Sequence, residues 1–297
     1  MRIANPMYDA VFKYLMDDNQ LAKLLISTIL NEEIIELVFN PQEQTTKLDY
    51  PHHFTVYRLD FAATIKNAAG ETRKILIEVQ KAKLASDIMR FRRYIGEQYR
   101  NPNTVLETSE GTKQALPLLT IYFLGHALEH SQAPVIHVKR ESRDLATHQP
   151  LAQKESFIES LSHDSYIIQI PYLGEHKRNA VEELLQIFNQ DRISRDKHIL
   201  EINDSDIHER YRPILRRLQR AIAEPEVENA MEIEDDILSE LQDLERLIDK
   251  ERQRADKAQA EAEQAQIQAK AAQAEIEHMQ AENDRLLALL KQAGLHS

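Results

Sequence analysis

From Glu226 to Ala293 the chain contains neither glycine nor proline, and Ala, Glu, Gln, Leu and Lys dominate. A stretch of this length without a helix breaker, built from strong helix formers, has one regular conformation open to it: a long helix. Within it Ile237, Leu241, Leu244, Ile248, Glu251, Ala255, Ala258, Ala262, Ala265, Ala269, Ala272, Ile276, Met279, Asn283, Leu286 and Leu290 follow one another at alternating spacings of four and three. That is a heptad register, and it predicts a coiled coil joining two copies through residues 237–290. The ends of the seam are rich in Leu and Ile, its middle is Ala, and Asn283 falls at an a position, where a buried amide selects a parallel dimer. The plainer alternative is a solvated single helix, which an Ala/Glu/Gln-rich sequence also forms.

The tail carries most of the acidity. Residues 1–225 hold 29 Lys and Arg against 31 Asp and Glu, or -2, whereas residues 226–297 hold 8 against 18, or -10. The chain therefore divides into a domain over 1–225 and an acidic helical tail over 226–297. Because local patches set attraction to phosphate, the acidic total does not exclude a nucleic-acid partner for the first part. There is no cysteine, which removes disulfides, thiolate metal sites and a Cys nucleophile; any metal must be held by oxygen or His. No signal-like start and no apolar run long enough to span a bilayer is present, so a cytoplasmic protein without membrane contact is expected.

Apolar spacing from Pro6 to Leu30 predicts two helices, or one broken near Asp17 to Asn19. Strands are expected over 34–39, 55–65 and 73–80, with a Gly-containing hairpin over 67–71 between the last two. A helix over 86–99 ends before Asn101-Pro102. Strand runs follow at 116–124 and 165–173, then a helix over 179–189. The order helix, three strands, helix, strand implies a mixed α/β fold with helices packed on the sheet.

Two acids interrupt those strands. In RLDFAATI (58–65) and ILIEVQ (75–80), Asp60 and Glu78 replace the apolar residues a strand prefers. If Ala68, Ala69 and Gly70 form the hairpin loop, Ile65 pairs with Arg73 and Asp60 lies directly opposite Glu78. Like charges at that cross-strand spacing repel, and a shared proton or a cation relieves them. Hard oxygen ligands suit Mg²⁺ or Mn²⁺, which accept phosphate oxygens and acidify water. A half-exposed sheet face that merely meets solvent is the competing explanation. Immediately after the pair, residues 81–100 hold Lys81, Lys83, Arg90, Arg92, Arg93 and Arg100 against Asp87 and Glu97, a surplus that suits phosphate backbone.

YDAVFKYL (8–15), RLDFAATI (58–65), ILIEVQ (75–80) and MRFRRYIGEQY (89–99) together resemble the PD-(D/E)XK nuclease family transposases, also called recombination-promoting nucleases. The resemblance covers roughly residues 5 to 200. It implies a restriction-endonuclease-like αβββαβ core and metal-dependent DNA cleavage. By position, Asp60 resembles the family's metal-binding Asp, Glu78 the acid of the E-x-K element, and Gln80 occupies the slot of its Lys. The resemblance gives Mg²⁺ or Mn²⁺ to Asp60, Glu78 and the Val79 carbonyl, with Asp9 on the first helix as a further acid. It gives DNA contact to Arg90, Arg93 and Tyr94, and the basic cluster extends that expectation to Lys81 and Lys83. The group that orients the attacking water is then Gln80 or a neighbouring lysine, Lys81 or Lys83. Two active sites suit a double-strand cut, which a parallel coil would bring together. The reading from another class is a nuclease-fold binding or scaffold protein that acts through its coil.

Other signals are weaker. His126 and His130 have H-x-x-x-H spacing but follow a strand and lack the Glu of a helical zinc motif. His52 and His53 fall at a strand entrance. No nucleophile elbow, phosphate loop or dinucleotide fingerprint occurs, and 6 Gly leave little material for one.

Overall fold

The computed structural model describes residues 1–40, 58–66, 70, 72–82, 88–101, 105–107, 113–151, 153, 155–174 and 177–292. Two units are distinguished along the chain, Met1–Asp235 and Asp236–Ser297. In the first, β1 (Arg2–Ala4) is followed by α1 (Asp9–Met16) and α2 (Asn19–Leu30), then by β2 (Glu33–Asn40), β3 (Arg58–Lys66), β4 (Thr72–Ala82) and α3 (Ile88–Arg100). A small hairpin of β5 (Val105–Glu107) and β6 (Lys113–Ala115) leads to β7 (Leu118–Leu124), β8 (Val135–Val138), α4 (Ser156–Leu161) and β9 (Asp164–Gln169). The unit closes with α5 (Ala180–Leu185), β10 (Ile199–Glu201), α6 (Arg212–Ala221) and the first turns of α7 (Pro225–Gln292).

Six strands form one mixed sheet in the order β2-β3-β4-β7-β9-β8. The three consecutive strands β2, β3 and β4 pair antiparallel; β4 with β7 and β7 with β9 are parallel, and β8 closes the edge antiparallel to β9. The parallel step from β4 to β7 needs a crossover, and α3 lies within that connection. Among the described residues no helix is long and apolar enough to cross a membrane.

The break expected near Asp17 is made by a cap. Asp18 accepts hydrogen bonds from the Gln20 and Leu21 backbone N–H groups at the start of α2, and Asn31 ends that helix at φ 53°, in the left-handed region that Asn tolerates. Asp18→Ala should cost about 1 kcal/mol, read as a lower urea midpoint at unchanged slope. Both helices pack against one sheet face, where Phe12, Phe123 and Phe188 meet at centroid distances of 5.3, 6.1 and 4.9 Å. Alternation puts Phe61, Ala63, Ile65, Ile75, Ile77, Val79, Leu119, Ile121 and Phe123 into that core.

Two sequence expectations shorten. The 165–173 run is strand only to Gln169 and then turns as a 3-10 helix at Ile170–Tyr172, with Pro171 at its start, where a strand would lose a donor. The helix expected over 179–189 is α only to Leu185 and tightens into 3-10 turns beyond it.

The first unit extends ten residues past Pro225, to Asp235, because the root of α7 is built into it. Val227 and Met231 are buried in the core. Glu234 Oε2 accepts the Asp9 backbone N–H at 2.7 Å, a carboxylate at the start of α1. Asp235 accepts from the Tyr8 hydroxyl at 2.9 Å and lies 2.7 Å from His198 Nε2 and 3.0 Å from Lys197 Nζ. Burial alone would raise the Asp235 carboxyl, but its hydrogen bonds with Lys197, His198 and Tyr8 prevail and hold it below the usual range. A lowered folded value contributes stability above the unfolded pKa of about 3.9 and loses it as pH falls through the lowered one. Asp235→Asn should therefore cost about 1–2 kcal/mol at neutral pH, with the gap to the parent closing in acid. Urea titrations on either side of the unfolded pKa check this, and a gap that persists in acid would assign the loss to packing.

The second unit, from Asp236 onward, is helical to Gln292. Leu244, Leu247, Ile248, Ile276, Met279, Leu286, Leu287, Leu289 and Leu290 are all exposed on it.

Candidate functional site

β3 and β4 pair in one uninterrupted register from Arg58 opposite Gln80 to Lys66 opposite Thr72. Ile65 faces Arg73, and Asp60 stands directly opposite Glu78. Gly70 in the connecting turn has φ 86°, which a residue with a Cβ rarely adopts; Ala68 and Ala69 lie outside the described residues, as does the side chain of Asp60.

Because Ile75, Ile77 and Val79 enter the helix-covered core, alternation sends Glu78 and Gln80 to the opposite face. The sheet continues their row. Glu78 pairs with Thr120 on β7, and Thr120 with Ser165 on β9; the Thr120 hydroxyl donates to Ser165 Oγ at 2.8 Å. Asp60, Glu78, Thr120 and Ser165 thus form a polar row across four adjacent strands. One step along, Gln80 pairs with Tyr122. Burial, with the nearby Glu78 charge adding to it against a hydrogen bond with Thr120, pushes the Tyr122 hydroxyl up to about 12. Tyr122 therefore stays protonated across the physiological range.

α3 lies against this second face. Phe91 packs with Leu124 and against Tyr122, Leu128 and Ile167, its ring 4.9 Å from that of Tyr122. At the other end of α3 the Tyr99 hydroxyl lies 2.9 Å from His163 Nδ1. Burial, and then the charge of Arg140, hold His163 below its ordinary value. Arg92 and Arg93 are exposed, and Tyr94 is half-buried. The side chain of Arg90 and all of Lys83 lie outside the described residues, as do His52 and His53.

Glu78 and Gln80 are each 1% exposed. Gln80 Nε2 donates to Glu78 Oε1, which leaves the amide oxygen: Gln80 Oε1 is buried with no hydrogen-bond partner among the described residues. A buried carbonyl oxygen without a donor is costly, and a cation satisfies it as well as a donor does. With Asp60 opposite Glu78 in the strand register, the residue types of the row offer oxygen donors, which suit a hard divalent ion. Among the described residues no cluster of three or more His, Asp or Glu forms a metal-binding group. Val79 is paired on both sides, with Leu59 and Ile121, so its carbonyl lies within the sheet rather than at an edge.

Asp9 and Lys81 come together, but away from that row. Lys81 is 4% exposed on the helix-covered side of β4, its Nζ 2.6 Å from Asp9 Oδ1 and 2.6 Å from the Met7 carbonyl oxygen, which accepts from it. This corrects two expectations. Lys81 is an internal tie rather than a surface contact for DNA, and Asp9 is paired with Lys81 on the helix-covered side rather than on the Glu78 side of the sheet. A single odd step along the strand separates Lys81 from Gln80, and that step decides the face.

The polar row beyond Glu78 escaped the sequence reading. Thr120 and Ser165 sit in the apolar runs LPLLTIYFL and SYIIQIPYL, and nothing local reveals that two parallel pairings bring them into line with Glu78. Set against protein-family models, curated proteins and solved structures, the chain matches none.

Proposed function

We propose that this chain is a metal-dependent nuclease that hydrolyses DNA phosphodiester bonds, of the recombination-promoting kind its sequence resembles. The observation that carries the reading is the placement of Asp60 opposite Glu78, with the amide of Gln80 bonded to Glu78 and its oxygen lacking a donor among the described residues. The element order α1/α2, β2, β3, β4, α3, β7 supports a restriction-endonuclease-like core, with the two acids on its second and third strands. Mg²⁺ or Mn²⁺ held there would supply positive charge against the phosphate and acidify water. Asp60 and Glu78 bring the negative charge that retains the ion, and the Gln80 oxygen completes the set. With Lys81 committed to Asp9, Gln80 becomes the residue that orients the attacking water. Arg92 and Arg93 offer exposed cations for the phosphate backbone. The exposed heptad positions of α7 provide for a dimer through residues 237–290.

A second reading rests on the burial of Glu78 and Gln80. A face so closed suits a protein that keeps the nuclease fold and binds a partner through its coil without turnover. Incubation of supercoiled plasmid with the purified chain in Mg²⁺, Mn²⁺ or EDTA separates the two, with circular dichroism confirming the fold. Nicking that requires the metal supports the nuclease; a folded chain that cuts under no condition supports the binding protein.

A further inference from the structure

We propose that residues 237–290 pair with a second copy of this chain in the antiparallel orientation, not the parallel one that Asn283 taken alone favours. The proposal rests on the dimer reading of the coil and is independent of the nuclease reading. Its first support is a mirror pattern in the seam. The large exposed apolar residues in the seam of α7 lie toward its two ends, Leu244 and Ile248 on one side and Ile276, Met279, Leu286 and Leu290 on the other, while the exposed Ile267 near the middle falls at an outward f position. About a midpoint between Glu263 and Gln264, an antiparallel pair sets Ile237 against Leu290, Ile248 against Met279, Ala255 against Ala272, Ala258 against Ala269 and Ala262 against Ala265. A parallel pair sets each residue against its own copy and asks for no relation between the ends. Only the antiparallel arrangement needs large residues to mirror large ones and Ala to mirror Ala.

The flanking positions give the second support. In antiparallel pairs g faces g and e faces e, which brings Arg254 to Glu275, Leu238 to Leu287 and Gln259 to Gln266, and sets no like charges opposite one another. The parallel pair stacks Glu251 on Glu251 inside the seam and turns Leu287 toward Glu282. Like charges there oppose association, and complementary ones fix orientation. Two antiparallel layers depart from the pattern. Asn283 meets Leu244, one heptad from the end of the seam, where water reaches the amide, and Glu251 meets Ile276, where its long stem covers apolar surface while the carboxylate stays wet.

The consequence is a spacer. At 1.5 Å per residue the two Ile237 positions lie roughly 80 Å apart, so the attachment points of the two first units fall at opposite ends of the coil. Each unit would engage its own stretch of partner instead of opposing strands of one duplex site.

The absence of cysteine makes the test direct. Single cysteines are introduced in the full chain at outward f positions, as Ala260→Cys, Gln253→Cys and Arg246→Cys, spin-labelled, and measured by pulsed electron paramagnetic resonance beside light scattering. Antiparallel pairing gives separations along the axis that rise from about 10 to about 32 to about 53 Å. A dimer with the same short distance at all three positions overturns the orientation and leaves the dimer standing; a monomer by light scattering overturns both. Neither outcome touches the plasmid test.

Discussion

Glu78→Gln should lower metal-dependent nicking by about 10³-fold or more, while leaving the chain as stable as the parent or slightly more so. The two halves of this result have one cause. Glu78 is 1% exposed, opposite a second acid, and a buried carboxylate is costly to keep unless something offsets it. Glutamine keeps the shape and the oxygen that accepts from Gln80 Nε2, and removes the charge. The fold loses a repulsion; the site loses its hold on a cation. Thermal unfolding reads the second effect without catalysis: Mg²⁺ or Mn²⁺ at about 100 times its dissociation constant adds about 2.7 kcal/mol to a chain that binds it, and should add nothing to the variant. A variant that nicks at the parent rate would sink the nuclease reading. One that loses stability and no metal response would make Glu78 a structural acid, whose role is its bond to Gln80.

The strands β2, β3, β4, β7 and β9, the hairpin register and the long helix were legible because they rest on local period and on one turn, whereas the edge strand β8 and the short strands β1, β5, β6 and β10 were not. Counting back from Gly70 suffices to bring Asp60 to Glu78, since both strands are regular from Arg58 to Ala82. Elements joined across the chain were not legible. Ser165 reaches Thr120 only through a parallel pairing whose partners are 45 residues apart. Glu234 and Asp235 read as part of an acidic tail, yet they tie the root of α7 to Tyr8, Asp9 and His198. The run EIEDDILSE gives no sign that Glu234 and Asp235 face a folded domain while Glu232 and Asp236 are exposed. Lys81 is the case in which charge misled: a lysine at the head of a basic cluster reads as a phosphate contact, and strand alternation alone turns it inward.

That inward lysine carries the largest expected effect on stability. Lys81→Met should cost about 3 kcal/mol or more, because removing one partner of a buried pair strands the other. The stranded groups are Asp9, whose carboxylate lies 2.6 Å from the ammonium, and the Met7 carbonyl, which accepts from it at the same distance. Both lie where the chain enters α1, and the Phe12 ring 5.9 Å from Nζ leaves little room for water to replace the lysine. Methionine matches the stem in length and fills the space, so the loss measures the pair and not a cavity. Adding Asp9→Ala removes the stranded charge and should recover part of the loss, a coupling of about 1–3 kcal/mol in the double-mutant cycle. The same variants separate structure from chemistry. With Lys81 a tie between β4 and α1, Lys81→Met below its unfolding transition should nick plasmid within a few-fold of the parent. If instead the lysine orients the attacking water, the variant would keep its stability and lose nicking, and the assignment of that role to Gln80 would fall with it.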